Sequence, residues 1–486
     1  MKVSSFFFCL EFKLAVQIHI GFLLFCVSPY VFSIGNHLAS LSHQLSNLRH
    51  VVTPELKKAG NKLVLLTTNQ KPYCMPDYDD VMLQYKNLRK AIEAGQVKST
   101  YVVGFGGLIE AVSKMAFGNR LGVRLNNVTL DDLTGKYYSH IVVEVESTDN
   151  LPFRFKEIGV VTEEECFEYN GVKISMDEAL EAWTSRLENV FPTRSAHTST
   201  EAVRNELYKA DSVYICKQKT AKPKVFIPVF PGTNCEYDSA RAFLRAGAEV
   251  ETIVFRNQNG QQIRESVEAY TNAIRNSQIV MIPGGFSAGD EPEGSAKFIT
   301  SVFRNPKIST EVMNLIQKRD GLMIGICNGF QALVKLGLVP YGEIRQQGPD
   351  SPTLTMNTIG RHQSKMAYTR VVSNKSPWLQ KAQLGGTYVV PISHGEGRFV
   401  APQEWIDRLF KNGQVATQYV NLEGIPTMDE DYNMNGSFMA IEGITSPDGR
   451  ILGKMAHSER RSNGSAMNIY GDQDQLIFES GVEYFK

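Results

Sequence analysis

The chain has 486 residues, and 51 Lys plus Arg balance 51 Asp plus Glu, so its formal net charge is zero. This balance argues against a nucleic-acid-binding surface, which needs an excess of basic residues. At about 100 to 200 residues per domain, the length predicts two to four domains with substantial cores.

The seven cysteines are scattered along the chain and form no C-x-x-C pair. Their odd number and irregular spacing argue against a disulfide framework and against a structural zinc site. We therefore expect a cytoplasmic protein that binds no metal.

Residues 1–46 form an atypical apolar segment. No Asp, Glu, Lys or Arg occurs from Leu14 to Gly35, and this length alone would fit a membrane or signal segment. Glu11 and Lys13 interrupt the apolar start, polar residues dilute the run, and no small-residue cleavage site follows. The sequence therefore favours a segment that is not a membrane anchor.

Residues 47–165 carry the strand and helix patterns of an α+β subdomain. A strand from Thr100 to Val103 leads into a turn containing Gly104, Gly106 and Gly107, and a helix follows. Glycines at such a turn allow backbone N–H groups to approach a phosphate. The full dinucleotide-binding spacing is missing, so ordinary turn chemistry is the competing explanation.

Residues 166–222 are predicted to be a helical linker. One helix is expected over 176–190 and a second over 200–210, before a basic, proline-containing joint at 217–224. Such a composition is typical of a connection between domains.

Residues 223–486 alternate strands and helices. The pattern predicts an α/β domain with an open, mainly parallel sheet and helices on both faces, whose ligands lie at the carboxyl ends of strands. Strands are expected at 225–230, 250–255, 279–282 and 322–326, and helices at 237–246, 263–275, 296–303 and 310–318. Short strands over 353–400 predict an excursion that carries the loop at 393–398 over the site.

Cys327 is the candidate nucleophile. It lies at the apex of a turn between the strand Leu322–Ile326 and a helix, which lifts a side chain clear of the sheet beside the N–H groups of the helix start. Most single cysteines are small core residues, so the turn needs a partner to be read as catalytic. Cys235 also follows a strand, but with no evident base beside it we predict a structural role.

A histidine and a carboxylate further along the chain are the candidate catalytic partners of Cys327. His457 follows the second strand of a predicted hairpin, and Glu459 lies two residues further on. The histidine can act as a general base, and the carboxylate can hold its other ring nitrogen in the correct tautomer. Nucleophile, base and orienting group form a catalytic set that recurs on unrelated folds.

Five sequence blocks resemble the glutaminase domain of phosphoribosylformylglycinamidine synthase, the glutamine amidotransferase of purine biosynthesis. The resemblance covers residues 222–486 and follows the family's block order. The blocks are F-P-G-T-N-C-E-Y-D at 230–238, P-G-G-F-S at 283–287, G-I-C-N-G-F-Q at 325–331, S-H-G-E-G-R at 393–398 and H-S-E at 457–459.

The resemblance implies roles for individual residues. Cys327 would form a glutamyl thioester, His457 would move the proton, and Glu459 would orient His457. The backbone N–H groups of Gly285 and Asn328 would form the oxyanion hole. The residues implied to hold glutamine are Gln331, Ser393, His394 and Gly395.

The resemblance also concerns the rest of the enzyme. Residues 50–165 resemble the last subdomain of its synthetase half, with the turn at Gly104, Gly106 and Gly107 on the phosphate-handling side. In the long single-chain enzyme, ATP and Mg bind in synthetase domains that are missing here, and ammonia converts formylglycinamide ribonucleotide to the amidine. Glutamine hydrolysis, with the missing domains as partners, is therefore the prediction for these residues.

Two alternatives remain open. The same nucleophile turn would serve a cysteine hydrolase that acts on peptides or esters. A non-catalytic docking fragment, attached to a membrane through residues 14–35, is the second alternative.

Overall fold

The computed structural model describes residues 51–135, 137–195, 202–289, 295–461 and 465–486. The apolar segment 1–46 lies outside these ranges. Contacts divide the chain into two units, Met1–Phe191 and Pro192–Lys486. Across the described ranges, no helix is both long and apolar enough to cross a membrane.

The first unit is an α+β fold built on a seven-stranded sheet of order β4-β6-β1-β7-β5-β8-β9. Its neighbouring strands are antiparallel except for the parallel pair β5 and β8. The strands are β1 Lys62–Leu66, β2 Gln70–Lys71, β3 Met75–Pro76, β4 Val97–Val102, β5 Gly122–Leu125, β6 Ile141–Val145, β7 Phe155–Thr162, β8 Cys166–Tyr169 and β9 Val172–Ser175. The helices are α1 Tyr78–Glu93, α2 Gly107–Asn119, α3 Leu130–Thr134 and α4 Met176–Thr184.

Strand β1 shows how this sheet is buried on both faces. Leu63 and Leu65 belong to the core cluster that includes helix α2, whereas Val64 and Leu66 belong to the cluster that includes α1. Successive side chains of a strand point to opposite faces, so a continuous apolar run is required. Strands β8 and β9 complete the same sheet, which therefore extends beyond the predicted subdomain end at residue 165.

The second unit is built on a nine-stranded sheet of order β11-β10-β12-β13-β20-β19-β18-β15-β16. The first five strands in this order are parallel and the remaining pairs are antiparallel. The strands are β10 Lys224–Val229, β11 Glu249–Val254, β12 Ile279–Ile282, β13 Leu322–Ile326, β14 Thr353–Thr355, β15 Gln363–Val371, β16 Thr387–His394, β17 Arg398–Val400, β18 Val415–Tyr419, β19 Ile441–Thr445 and β20 Ile451–Lys454. The helices are α5 Glu236–Arg245, α6 Gly260–Asn276, α7 Lys297–Phe303, α8 Pro306–Lys318, α9 Asn328–Leu336, α10 Leu338–Tyr341, α11 Gln403–Lys411 and α12 Ile477–Glu483.

The predicted α/β class is confirmed, and two helices begin earlier than the apolar pattern indicated. The Asn259 side chain accepts from the backbone of Gln262, and the Asn305 side chain accepts from Lys307. Each asparagine satisfies a free N–H group of the first turn, so the helix starts at the cap and not at the first apolar residue.

The second predicted linker helix is wrong for its described residues, 202–210, which are irregular. Tyr208 forms a bridge with Ser373, and its N–H group donates to the Val372 carbonyl at 2.8 Å. Backbone pairing with a distant strand end replaces the helical bonds here. This segment therefore packs on the second unit.

Candidate active site

Cys327 occupies a strained turn between β13 and α9. Its backbone has φ 53° and ψ −107°, a combination that side-chain-bearing residues rarely adopt. The Cys327 N–H donates to the Lys454 carbonyl of β20 at 2.9 Å, and the Cys327 carbonyl accepts from Gln331 N–H at 3.0 Å. Neighbouring strand and helix thus hold the conformation that places the thiol at the carboxyl edge of the sheet.

Two glycines allow helix α9 to approach the sheet closely. A Cβ atom at Gly329 would lie 1.9 Å from the Ile282 carbonyl oxygen, and one at Gly325 would lie 2.5 Å from the Gly329 carbonyl oxygen. No real Cβ tolerates such distances. The glycines around Cys327 are therefore required by the packing that positions the cysteine.

His457 leaves the end of β20 as part of a buried pair with Glu459. His457 Nδ1 and Glu459 Oε1 are 2.6 Å apart, and the His457 N–H group donates to the Pro391 carbonyl at 2.8 Å. His457 Nε2 has no hydrogen-bond partner in the described part of the chain. One ring nitrogen is thus held by a carboxylate while the other is available to a reacting proton.

Gly284 brings the cysteine and the histidine together. A Cβ atom on Gly284 would lie 2.7 Å from His457 Cε1 and 3.4 Å from Cys327 Cβ. Both side chains therefore lie close to the same backbone position, which only a glycine can occupy without displacing the imidazole.

Burial sets the protonation states at this centre. It raises the pKa of the Cys327 thiol, which is only 5% exposed, so the thiol needs a base to become a nucleophile. Burial would also raise the pKa of Glu459, but the charge and hydrogen bond of His457 outweigh it and lower that pKa. The carboxylate is therefore ionised beside the imidazole.

The predicted oxyanion residues lie on a loop and on the adjoining start of helix α9. Gly285 has φ 143°, and a Cβ there would stand 2.7 Å from the Gly232 carbonyl oxygen. Asn328 is the first residue of α9, and its side-chain oxygen accepts from the Ser287 N–H at 3.3 Å. This bond ties the glycine loop to the helix start that follows Cys327.

The predicted glutamine-binding residues surround the same turn. Gln331 Nε2 donates to the Glu396 carbonyl at 2.5 Å, and its Oε1 accepts from Asn328 at 2.9 Å. The Cys327 thiol donates to the Ser393 carbonyl at 3.6 Å. The structure therefore brings helix α9 and the 393–398 loop together at the cysteine.

His394 and Gly395 are held by asparagines that the sequence patterns did not single out. Asn357 donates to the His394 carbonyl at 2.9 Å and its N–H group to the Gly395 carbonyl at 2.9 Å. The Asn435 amide nitrogen lies 3.2 Å from His394 Nε2, and a neutral imidazole that accepts this bond carries its proton on Nδ1. Burial lowers the pKa of His394 to about 3, with the charges of His457 and His362 acting in the same direction.

Cys235 lies closer to the site than its predicted structural role implied. Its sulfur is 3.9 Å from His457 Nδ1 and accepts from the Arg460 guanidinium at 3.2 Å. The expectation that no base lies beside it was wrong, because β20 brings His457 there from 222 positions away. Cys235, His457 and Glu459 offer ligand atoms within 4.8 Å of one another, yet the Nδ1–Oε1 bond and the Arg460 charge oppose a cation.

The glycine turn of the first unit has a different environment. The Gly106 N–H donates to Glu110 Oε2 at 2.8 Å, and Lys114 Nζ lies 2.7 Å from Glu110 Oε1. A Cβ on Gly107 would stand 2.7 Å from the Leu133 carbonyl oxygen. The phosphate-side role of Gly104, Gly106 and Gly107 remains a prediction.

A buried cysteine at the turn after a parallel strand, with a buried histidine nearby, is the arrangement found in enzymes with a nucleophile turn. Residues 222–485 match the family model of the CobB/CobQ-like glutamine amidotransferase domain, and the chain belongs to this family. The predicted glutamine amidotransferase domain is thereby confirmed.

Curated relatives carry a more specific name, which confirms the predicted resemblance and the predicted enzyme class. The phosphoribosylformylglycinamidine synthase subunit PurQ of Methanococcus maripaludis is 31% identical over 281 residues, covering 54% of this chain and 97% of that protein. The subunit of the same name from Pyrococcus horikoshii is 32% identical over 264 residues, covering 54% of this chain and 99% of the relative. A structure of PurLQS from Thermotoga maritima has 25% sequence identity and a TM-score of 0.40, over 55% of this chain and 100% of that chain.

Proposed function

We propose that the second unit hydrolyses glutamine with Cys327, His457 and Glu459. The observation that carries this proposal is the placement of Cys327 and His457 on the same side of Gly284, where an added Cβ atom would meet both, together with the 2.6 Å bond that joins His457 to Glu459. A nucleophile, a base and an orienting carboxylate meet here in a buried site.

The first chemical step forms a thioester. His457 Nε2 takes the Cys327 proton as the sulfur attacks the side-chain carbonyl carbon of glutamine. The carbonyl oxygen becomes an oxyanion, which the backbone N–H groups of Gly285 and Asn328 stabilise. Collapse of this intermediate breaks the C–N bond, and His457 returns the proton to the departing nitrogen, so that ammonia leaves.

Water completes the cycle. His457 accepts a proton from water, the resulting hydroxide attacks the thioester, and the thiolate of Cys327 leaves and regains the proton. Glutamate is the second product. Throughout, ionised Glu459 stabilises the imidazolium form of His457 and holds its Nδ1 proton.

Glutamine recognition is proposed for Gln331, Ser393, His394 and Gly395. The strongest support comes from His394, whose Nδ1 is buried and has no hydrogen-bond partner among the described residues. A buried donor without a partner is costly, and a polar atom of bound glutamine would satisfy it. Because His394 stays neutral, it offers this donor without placing a second positive charge near His457.

The ammonia is proposed to serve the conversion of formylglycinamide ribonucleotide to the amidine in purine biosynthesis. This proposal rests on the curated relatives, which are named as subunits of phosphoribosylformylglycinamidine synthase. ATP, Mg and the ribonucleotide would bind to a synthetase partner in the cytoplasm. The α+β sheet of the first unit would be the last piece of that synthetase.

The decisive experiment measures glutamate release by the wild-type chain and by Cys327→Ser, each with and without a synthetase partner. Activity that requires Cys327 and rises with the partner is the expected result. Cys166→Ser is the matched control, because Cys166 is a buried thiol of the first unit. Cleavage of esters but not glutamine would favour a cysteine hydrolase, and a folded chain with no turnover in either setting would favour a docking fragment.

A further inference from the structure

A fully buried ion pair lies directly behind the proposed catalytic histidine. Lys454 Nζ and Glu442 Oε1 are 3.4 Å apart, and both side chains are 0% exposed. Glu442 also accepts from the Ala456 N–H at 2.7 Å and from the Thr417 hydroxyl. Such a pair costs desolvation energy that apolar side chains of similar size would avoid, so packing alone does not explain it.

The Lys454 ammonium uses its remaining donors on the two neighbours of His457. It donates to the Ala456 carbonyl at 2.8 Å and to the Ser458 hydroxyl at 2.9 Å. Glu442 is the third polar neighbour of the ammonium, as an ion pair at 3.4 Å. Ser458 is fixed further because its hydroxyl donates to Gln475 Oε1 at 2.7 Å.

The backbone of the same residue holds the nucleophile. The Lys454 carbonyl accepts from the Cys327 N–H at 2.9 Å, and this N–H belongs to the strained residue of the turn. Strands β13 and β20 are parallel neighbours, with Ile326 opposite Lys454. One residue therefore contacts both the cysteine turn and the histidine segment.

We propose that Lys454 is a positioning residue, which sets the placement of His457 relative to Cys327. Its carbonyl fixes the turn, while its ammonium, paired with Glu442, fixes Ala456 and Ser458, the residues immediately before and after His457. Loss of these bonds would let the base move away from the thiol, and a displacement of about 1 Å costs about 10²-fold in rate. The inference rests on the proposed glutaminase function of this site.

The test removes the ammonium without leaving a buried charge. In Lys454→Met/Glu442→Gln, the methionine fills the apolar volume and the glutamine keeps an oxygen for the Ala456 N–H and an amide for Thr417. We expect kcat for glutamine hydrolysis to fall about 10- to 100-fold, with KM within about twofold of wild type. Lys307→Met makes the same chemical change at an exposed position of α8 and is expected to leave both constants unchanged.

Ser458→Ala is a second, independent test, which can be measured even if the double variant folds poorly. It removes one acceptor of Lys454, and we expect kcat to fall about 3- to 10-fold, with KM unchanged. A merely structural role would lower the melting temperature without separating kcat from KM. Wild-type kcat in a folded double variant, or in Ser458→Ala if the double variant does not fold, would overturn the inference while leaving the function standing. Absence of Cys327-dependent glutamate release from the wild type would instead reject the function.

Discussion

Each unit of the chain contains a strand that turns sharply into a helix. A backbone N–H group at one turn finds a local hydrogen-bond acceptor, whereas the one at the other turn finds a distant acceptor. After β4, the Gly106 N–H donates to Glu110, four residues further along the same segment. After β13, the Cys327 N–H donates to Lys454, which lies 127 positions away, and its thiol donates to the Ser393 carbonyl.

The difference shows what separates a helix cap from a reactive site. The glycine turn supplies its own carboxylate, which complements the positive end of the helix dipole. The cysteine turn uses distant residues to hold a strained backbone, and buried polar atoms remain without partners at His457 Nε2, Glu459 Oε2 and His394 Nδ1 among the described residues. Buried polar atoms without partners, and not the strand-turn-helix outline, therefore separate the cysteine turn from the glycine turn.

Among variants of the two regions, Glu459→Gln is expected to have the largest effect, because it removes the charge that stabilises protonated His457. We expect kcat for glutamine hydrolysis to fall about 10²- to 10⁴-fold, by analogy with loss of the carboxylate from other catalytic triads. Steady-state glutamate release at neutral pH measures it. Glu93→Gln, on the surface of α1, is the matched control.

The same variant has a pH signature with a fixed sign. Because the folded-state pKa of Glu459 lies below its ordinary value of 4.5, its carboxylate stabilises the protein above that pH. This contribution is lost as the pH falls through the lower folded-state value. Urea unfolding of Glu459→Gln should therefore lose less stability than wild type on acidification, and parallel losses in both proteins would contradict the lowered pKa.

A second prediction concerns Gly284, where the cysteine and histidine meet. In Gly284→Ala the new methyl group would stand 2.7 Å from His457 Cε1, so the imidazole must move. We expect a fall in kcat of about 10²-fold, the usual cost of displacing a catalytic group by about 1 Å. Gly348→Ala is the control, since a Cβ there meets nothing closer than 3.9 Å. Normal kcat in a folded Gly284→Ala variant would contradict the proposed arrangement.

A third prediction uses His394, whose pKa falls from 6.5 to about 3 through burial and the nearby histidines. Below pH 6.5 this histidine is protonated in the unfolded chain but not in the native state. The free energy of unfolding therefore decreases by about 1.4 kcal/mol for each unit by which the pH falls. His394→Gln should flatten this slope between pH 6.5 and 5 in urea unfolding experiments. His362→Gln, at a more exposed position, should change the slope less. An unchanged slope in His394→Gln would show that the buried imidazole is protonated in the native state.

The smallest effect is expected in the first unit, from Glu110→Ala. This change leaves the Gly106 N–H without its acceptor and Lys114 without its carboxylate, at a cost of about 1 to 2 kcal/mol in the free energy of unfolding. Chemical denaturation followed on the first unit measures it, with Glu93→Ala as the exposed control. Stabilisation of the wild-type protein by inorganic phosphate would instead favour the phosphate-side prediction for Gly104, Gly106 and Gly107.

Local patterns in the sequence predicted most of the fold and the outline of the site. The apolar runs of β12 and β13 have the same bounds as the predicted strands, because buried parallel strands need continuous apolar side chains. Cys327, His457 and Glu459 were identified from the turn and hairpin patterns and from the sequence blocks. The structure brings Cys327 and His457 together at Gly284.

Features that depend on distant partners could not be predicted in the same way. Cys235 has no base near it in sequence, and only the order of strands in the sheet places His457 beside it. In the sequence, Lys454 is only a charge within an apolar strand. Its ion pair with Glu442 forms across the β19–β20 hairpin and depends on the strand pairing. The residues at 202–210 have helical character, but backbone pairing with the strand end at 372 outweighs that weak local preference.

The packing of this segment has a practical consequence for expressing the amidotransferase alone. Tyr208 fills the space above Gly413, Tyr214 donates to Asp320 at 2.7 Å, and the Thr220 N–H donates to the Phe485 carbonyl. A truncation that starts at residue 222, where the family match begins, would remove all three contacts. Such a truncated protein would expose apolar surface and leave the Asp320 carboxylate without its partner, and both changes favour aggregation. A protein that starts near residue 192 would keep the three contacts.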